Sequence, residues 1–485
     1  MDIIIGPTIE AIYDIYQMEN CKVNGIEGVP TANKLVMNPG YMDLEFDALY
    51  NAIPACAHME YLPEFSFETA KATYMVPPYH GYFDGNIIVG SDQEQHFDLR
   101  FNKLTQTTIN PQGNYYWRFV YPIDSSEWAL KIKALPYKDE FGACHFYNLI
   151  STELAGHQMK VFAINANNDH WMVIETTESI SYEEMDKRVM ALTMALGLVL
   201  GRRYGDYCFH VASEELTFSQ ITGVEVLSLR ETKSCPFKIL NPNKNLLVEW
   251  LCQHDYQKYA LEEMESNPGE GIKWYFEEDA TVTIDAVSKL AQLCYQSNDM
   301  VLATSMLIDG SLMNIEYQEP FFHVTLETIT SILLKDDNIA LPPPMPQERY
   351  KKEVEPVLIE ALVSIQNLSE AAQQIYTKRI KHSLNAASNA NKLDACFQKY
   401  GYTLTEADKE AIKKRNFTLH GHLTSEKKPL REQQHELLAV SLRLHKLCSI
   451  LLLKEAGFSG KVLNNEVLFG IKEACERKEH VYIEV

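Results

Sequence analysis

Lys413-Lys414-Arg415-Asn416-Phe417-Thr418-Leu419-His420-Gly421-His422 is the stretch on which the fold of the second part of this chain turns. It lies between a segment that starts like a capped helix and a long leucine-rich run. Thr405, with Asp408 three residues on, has the spacing of a helix start. Downstream, Leu437, Val440, Leu444, Leu447 and Leu451 recur at alternating three- and four-residue steps, a seam suited to bundle packing. The reading predicts a short motif helix held against a long one.

The side chains in the stretch suit phosphate chemistry. Arginine offers a planar fork of donors and stays charged at any working pH. Histidine titrates near neutrality and can give or take a proton. On a helix at about 100° per residue, Asn416 and His420 fall about 40° apart, and Arg415 and His422 about 20° apart. Arg415 and His420 are about 140° apart and converge only through the long Arg stem or an early helix end at Gly421. Both histidines therefore remain candidates.

Arg-Asn-x-x-x-His-Gly, with His422 two residues beyond His420, resembles the Arg-x4-6-His signature of HEPN-domain ribonucleases. The flanks agree: Tyr376-Thr377-Lys378-Arg379-Ile380 through Leu384-Asn385 upstream, and Leu453-Lys454-Glu455-Ala456-Gly457-Phe458-Ser459-Gly460 downstream. The whole chain is similar to the ApeA-type anti-phage HEPN proteins of bacteria. The resemblance implies a metal-independent endoribonuclease acting on RNA such as tRNA. It further implies a homodimer formed through the helical bundle, and a front region that answers a phage-derived trigger. His420 is then the acid/base and Arg415 the stabiliser of developing charge. Asn416 orients the phosphate or the imidazole, and His422 assists or replaces His420. Lys413, Lys414 and Lys427 are candidate RNA contacts, although lysines so placed also read as an ordinary solvated face. A His-x-His pair suits a metal, but no Cys or acid follows at tight spacing, so neither metal nor cofactor is expected. His435 and His445 read as surface or seam positions.

At 485 residues the chain is long enough for two or three domains. The net charge of −22 is uneven. Residues 345–485 hold 22 Lys and Arg against 18 Asp and Glu, a balance of +4 that leaves −26 for residues 1–344. The ten cysteines are scattered without a Cys-x-x-Cys pair, the usage of a reduced, cytoplasmic protein. The first residues lack the basic and apolar regions of a secretory signal. The most apolar run, residues 189–201, falls short of the roughly 18–20 residues that span a bilayer, so no membrane partner is expected.

The expected class is α+β: a β-rich, sandwich- or barrel-like front over residues 1–240, a helical intermediate region over 241–340, and a HEPN-type bundle over 345–485. Strand texture runs through residues 97–101, 116–120, 128–132 and 159–164, with Asn, Pro and Gly turns between. Ser181 and Glu184 have capping-box spacing, and Met190, Met194 and Leu198 mark the face of the helix that follows. Tyr207 to Ala212 and Val224 to Leu229 complete the front. Helical periodicity covers residues 246–264, 284–295, 301–308 and 324–334. The proline run at 342–346 reads as a connector, and the last module as helices at about 350–366, 370–399, 405–420 and 430–456. Tyr74, Tyr79, Tyr82 and Phe83 read as sheet and loop packing, with a binding surface as the alternative. The competing functional class is a non-catalytic dimeric binding protein whose β-rich domain recognises a protein or glycan.

Overall fold

The computed structural model describes residues 2–26, 29, 31–49, 61–84, 94–123, 131–140, 142–242, 278–336, 343–386, 389–415 and 428–485. It has a large, mainly antiparallel sheet region followed by helices, an α+β chain. Two compact units are present: residues 1–313 with 455–485, and residues 314–454. This division differs from the expected one. The helices Ile284–Gln296 and Asn298–Leu312 pack with the sheet unit, and the last thirty or so residues return to it.

In the sheet unit the register of neighbouring strands runs from Leu135–Asp139 through Cys144–Leu154, His157–Ala166 and Asp169–Thr176 to the central Asn114–Ile123. It continues through Tyr207–Ser213 and Gly223–Ser228 to Lys103–Gln106, Thr73–Val76 and Phe65–Glu68. Glu19–Asn24, Thr31–Asn38, Tyr41–Leu49, Glu94–Phe101 and Gly81–Asp84 complete it. Alternation places Phe46, Phe67, Phe101, Phe162, Phe209 and Trp171 in one apolar core, which also takes Ile12 and Ile15 of the helix Gly6–Tyr16. That helix is locked by Arg118, which donates to Glu175 (2.8 Å), to the Ile4 carbonyl (2.7 Å) and to Thr8 (2.8 Å) from a position 2% exposed. A buried cation persists there because its Nε and Nη1 donors meet a carboxylate, a carbonyl and a hydroxyl.

The helix Tyr182–Leu200 begins where expected, with the Glu184 amide donating to Ser181 Oγ at 3.3 Å, and ends at Gly201 in the left-handed region. Glu184 does not reach back to complete the box: its carboxylate accepts from Arg188 Nε and the Tyr295 hydroxyl. Of the expected face Leu198 is buried and Met194 half-buried, but Met190 is 45% exposed; Met185, Val189, Leu192, Leu196 and Val199 complete the buried face. Expected strand 128–132 and helix 246–264 lie largely or wholly outside the described residues.

In the helical unit, Ile315–Asp336 is followed by Gln347–Arg349, which runs through a π turn into Glu355–Val363. The expected helix at 370–399 is two, Glu370–His382 and Asn389–Lys399; Ser383 to Asn385 break it, Asn385 turning its side chain onto the backbone of Met345. Glu406–Lys413 and the long Leu430–Glu455 complete the unit. The five seam residues named from sequence are all buried. The tail strand Lys461–Leu463 pairs with Tyr482–Glu484 and is tied to the front by the Leu463 amide on the Ile239 carbonyl at 2.8 Å. Among the described residues no helix is long and apolar enough to cross a membrane.

Candidate functional site around Arg415

The helix Glu406–Lys413, which leads into the motif, is fixed at its start by a complete capping box. The Asp408 amide donates to Thr405 Oγ1 at 3.1 Å, and the Thr405 amide donates back to Asp408 Oδ2 at 2.9 Å. Asp408 is fully buried, and its other oxygen accepts from Arg443 Nη1 at 2.9 Å, with Lys446 Nζ 3.9 Å away. Arg443 and Lys446 belong to the long helix and are themselves buried. One carboxylate thus caps this helix and pins it against two buried basic side chains of the long helix.

Arg415 is the last described residue of the motif. Its Nη2 donates to Glu327 Oε2 at 2.7 Å and its Nε lies against Oε1, a fork-on-carboxylate pair with both side chains about a quarter exposed (28% and 27%). Lys413 and Lys414 are exposed. Asn416, His420, His422 and Lys427 lie outside the described residues; of the motif, the structure places Arg415, and it brings it to Glu327.

Glu327 was not singled out in the sequence. It stands on Ile315–Asp336 with Glu319 and His323 at four-residue steps, so the three share one helix face. Glu319 and His323 are each 2% exposed and 3.5 Å apart. The i, i+4, i+8 spacing of ionisable residues was the available signal, hidden by the apolar periodicity at 324–334. His445 is buried against the Phe322 ring, and burial pushes its imidazole down to about 3. It is a neutral core histidine, as its seam position implied. His435 is half-buried.

A second titratable cluster lies in the sheet unit. Glu225 accepts from Thr105 Oγ1 at 2.9 Å, Lys103 Nζ lies 3.0 Å away, and His210 Nδ1 is 3.3 Å from Oε1 and 3.1 Å from the Tyr182 hydroxyl. The His210 ring stacks on Phe119. Burial raises the Glu225 carboxyl, but His210 and Lys103 outweigh it and hold the group down to about 2. Of the expected aromatic cluster, Tyr74 is core while Tyr79 (78%) and Tyr82 (41%) are exposed. The described cysteines are free thiols, all buried except Cys144. No family model matches this chain, and neither a curated protein nor a solved structure shows significant similarity to it.

Proposed function

We propose that the chain is a metal-independent endoribonuclease of the HEPN type that serves bacterial defence against phage. In this reading the helical unit is the nuclease and the sheet unit answers the trigger. The observation that supports it most is the motif itself: Arg415, followed within seven residues by Asn416, His420 and His422, at the end of a helix pinned by Thr405, Asp408, Arg443 and Glu327.

His420 takes the proton from a ribose 2′-hydroxyl, whose oxygen attacks the adjacent phosphorus. The bond to the 5′-oxygen breaks, and that oxygen leaves with a proton returned by an acid. Arg415 neutralises charge on the non-bridging oxygens. Asn416 orients the phosphate, His422 assists, and Lys413, Lys414 and Lys427 steer the RNA. The products are a 2′,3′-cyclic phosphate and a 5′-hydroxyl, and DNA is spared. Two copies joined through the helical unit present their motifs together.

The second reading is a non-catalytic binding protein, and one observation favours it: the Arg415 guanidinium already has a carboxylate partner in Glu327. Purified protein on total tRNA, with and without EDTA, separates the two. The nuclease reading expects cleavage that survives the chelator and falls at least a hundredfold in Arg415→Ala and in His420→Ala, with melting unchanged. Cleavage that both variants retain, or that EDTA removes, counts against it.

A further inference from the structure

The sheet unit carries a set of metal-ligating side chains unconnected with the motif. Tyr41–Leu49 runs antiparallel to Glu94–Phe101, with Glu45 opposite Asp98 and Asp47 opposite His96. Residues two apart on a strand share a face, so these four stand together on one side of the sheet. Carboxylates directly across a ladder repel each other.

The two nitrogens of His96 have different surroundings. Nδ1 lies 3.2 Å from Asp47 Oδ1, and Asp47 is itself held by the Asn33 amide at 2.7 Å. A carboxylate at that distance accepts a hydrogen bond from the Nδ1–H tautomer of the imidazole. In that tautomer Nε2 is a bare acceptor, and it faces Asp98 Oδ1 at 3.5 Å and Glu45 Oε2 at 4.0 Å. Three acceptor atoms, all within 4.8 Å of one another, converge on one point. An imidazolium would put one proton into that gap; a divalent cation would put two charges there.

We propose that Glu45, His96 and Asp98 bind a divalent transition metal, zinc by donor type, with Asp47 as the outer carboxylate that orients the imidazole. A tetrahedral centre with bonds of about 2.0–2.1 Å separates its ligand atoms by about 3.3 Å. The 3.5 Å contact meets that as it stands, and the 4.0 Å contact meets it after a small side-chain movement of Glu45. Two carboxylates and a neutral imidazole cancel the ion's charge and leave a fourth position for water. Lys34 Nζ, 3.3 Å from the same Glu45 oxygen, competes with the metal, while Arg100 is engaged by Asp43 at 2.9 Å.

The test is equilibrium dialysis of the full chain against zinc chloride with metal analysis, repeated with cobalt as a visible probe. Wild type should hold one zinc per chain more than His96→Ala or Asp98→Asn, and zinc should raise the melting temperature of wild type alone. Asp47→Asn should weaken binding about tenfold, and Lys34→Met should tighten it severalfold. Metal-free melting and circular dichroism check that these surface variants fold. Equal zinc content in wild type and folded His96→Ala overturns the proposal, as does the same cobalt spectrum in both. Buried thiols elsewhere contribute equally to every variant and cancel in the comparison, and no RNA enters the assay.

Discussion

The ionisation of Glu225 is tied to folding. Its carboxyl lies near 2 in the folded chain against about 4.3 for a free glutamate. The folded value is depressed, so the stabilisation is fully present above about pH 4.3 and is lost as pH falls from there through 2. Melting followed from pH 7 down to pH 3 should drop steeply for wild type and more shallowly for Glu225→Gln, which starts lower by a few kcal/mol. Parallel curves would refute the assignment. Asp408 is the counterpart in the helical unit. Asp408→Ala leaves Arg443 and Lys446 buried without their shared carboxylate and removes a helix cap, so urea denaturation should show a loss of about 3–5 kcal/mol. Part of this was legible: Thr405 and Asp408 declared a cap by spacing alone. The three-way bond to Arg443 was not, because 35 residues separate the partners and nothing in either segment names the other. The proposed site at His96 was hidden in the same way, since Glu45 lies on a different strand.

Among the elements, Glu370–His382 stands out because none of its residues is buried, although Ser369 caps it in the usual way. With the helix Glu355–Val363 it exposes Val357 (62%), Val363 (62%), Ile375 (55%) and Tyr376 (47%). A helix that buries so little leaves an apolar face exposed, and the proposed two-fold assembly gives this face a use. Ile375→Asp combined with Val363→Asp should shift sedimentation from dimer to monomer without loss of helicity. A wild-type monomer, or a dimer indifferent to both changes, argues against that use. Helix starts were readable at Ser181 and Thr405 because a hydroxyl three residues before an acid is a local signal. Sheet order was not. Lys103–Gln106 meets Gly223–Ser228 across some 120 residues, a pairing set by the closing of the whole sheet rather than by any turn.

At the scale of the molecule, the acidic excess of the sheet unit leaves the helical unit as the part better suited to polyanions, since residues 314–454 carry 19 Lys and Arg against 17 Asp and Glu, a balance of +2, against −24 for the rest. The tail completes the sheet unit: Tyr482 donates to the Asn241 carbonyl at 2.8 Å, Asn465 to the Lys238 carbonyl at 3.0 Å, and Phe469 packs its edge on Phe237. Ending the chain at residue 456 should therefore lower protection of residues 237–241 in hydrogen exchange while residues 405–413 keep theirs. A uniform loss would mean that the tail supports both units alike. The sequence placed residues 455–485 with the last helices because they follow them, and only the tertiary bonds reveal the return. Since the chain leaves the sheet unit at Met313 and re-enters it at Glu455, the nuclease candidate is an insert held by two covalent tethers. A single proteolytic nick within it cannot set either fragment adrift from the sheet unit, and a graft of this cassette into another host would need two junctions instead of one.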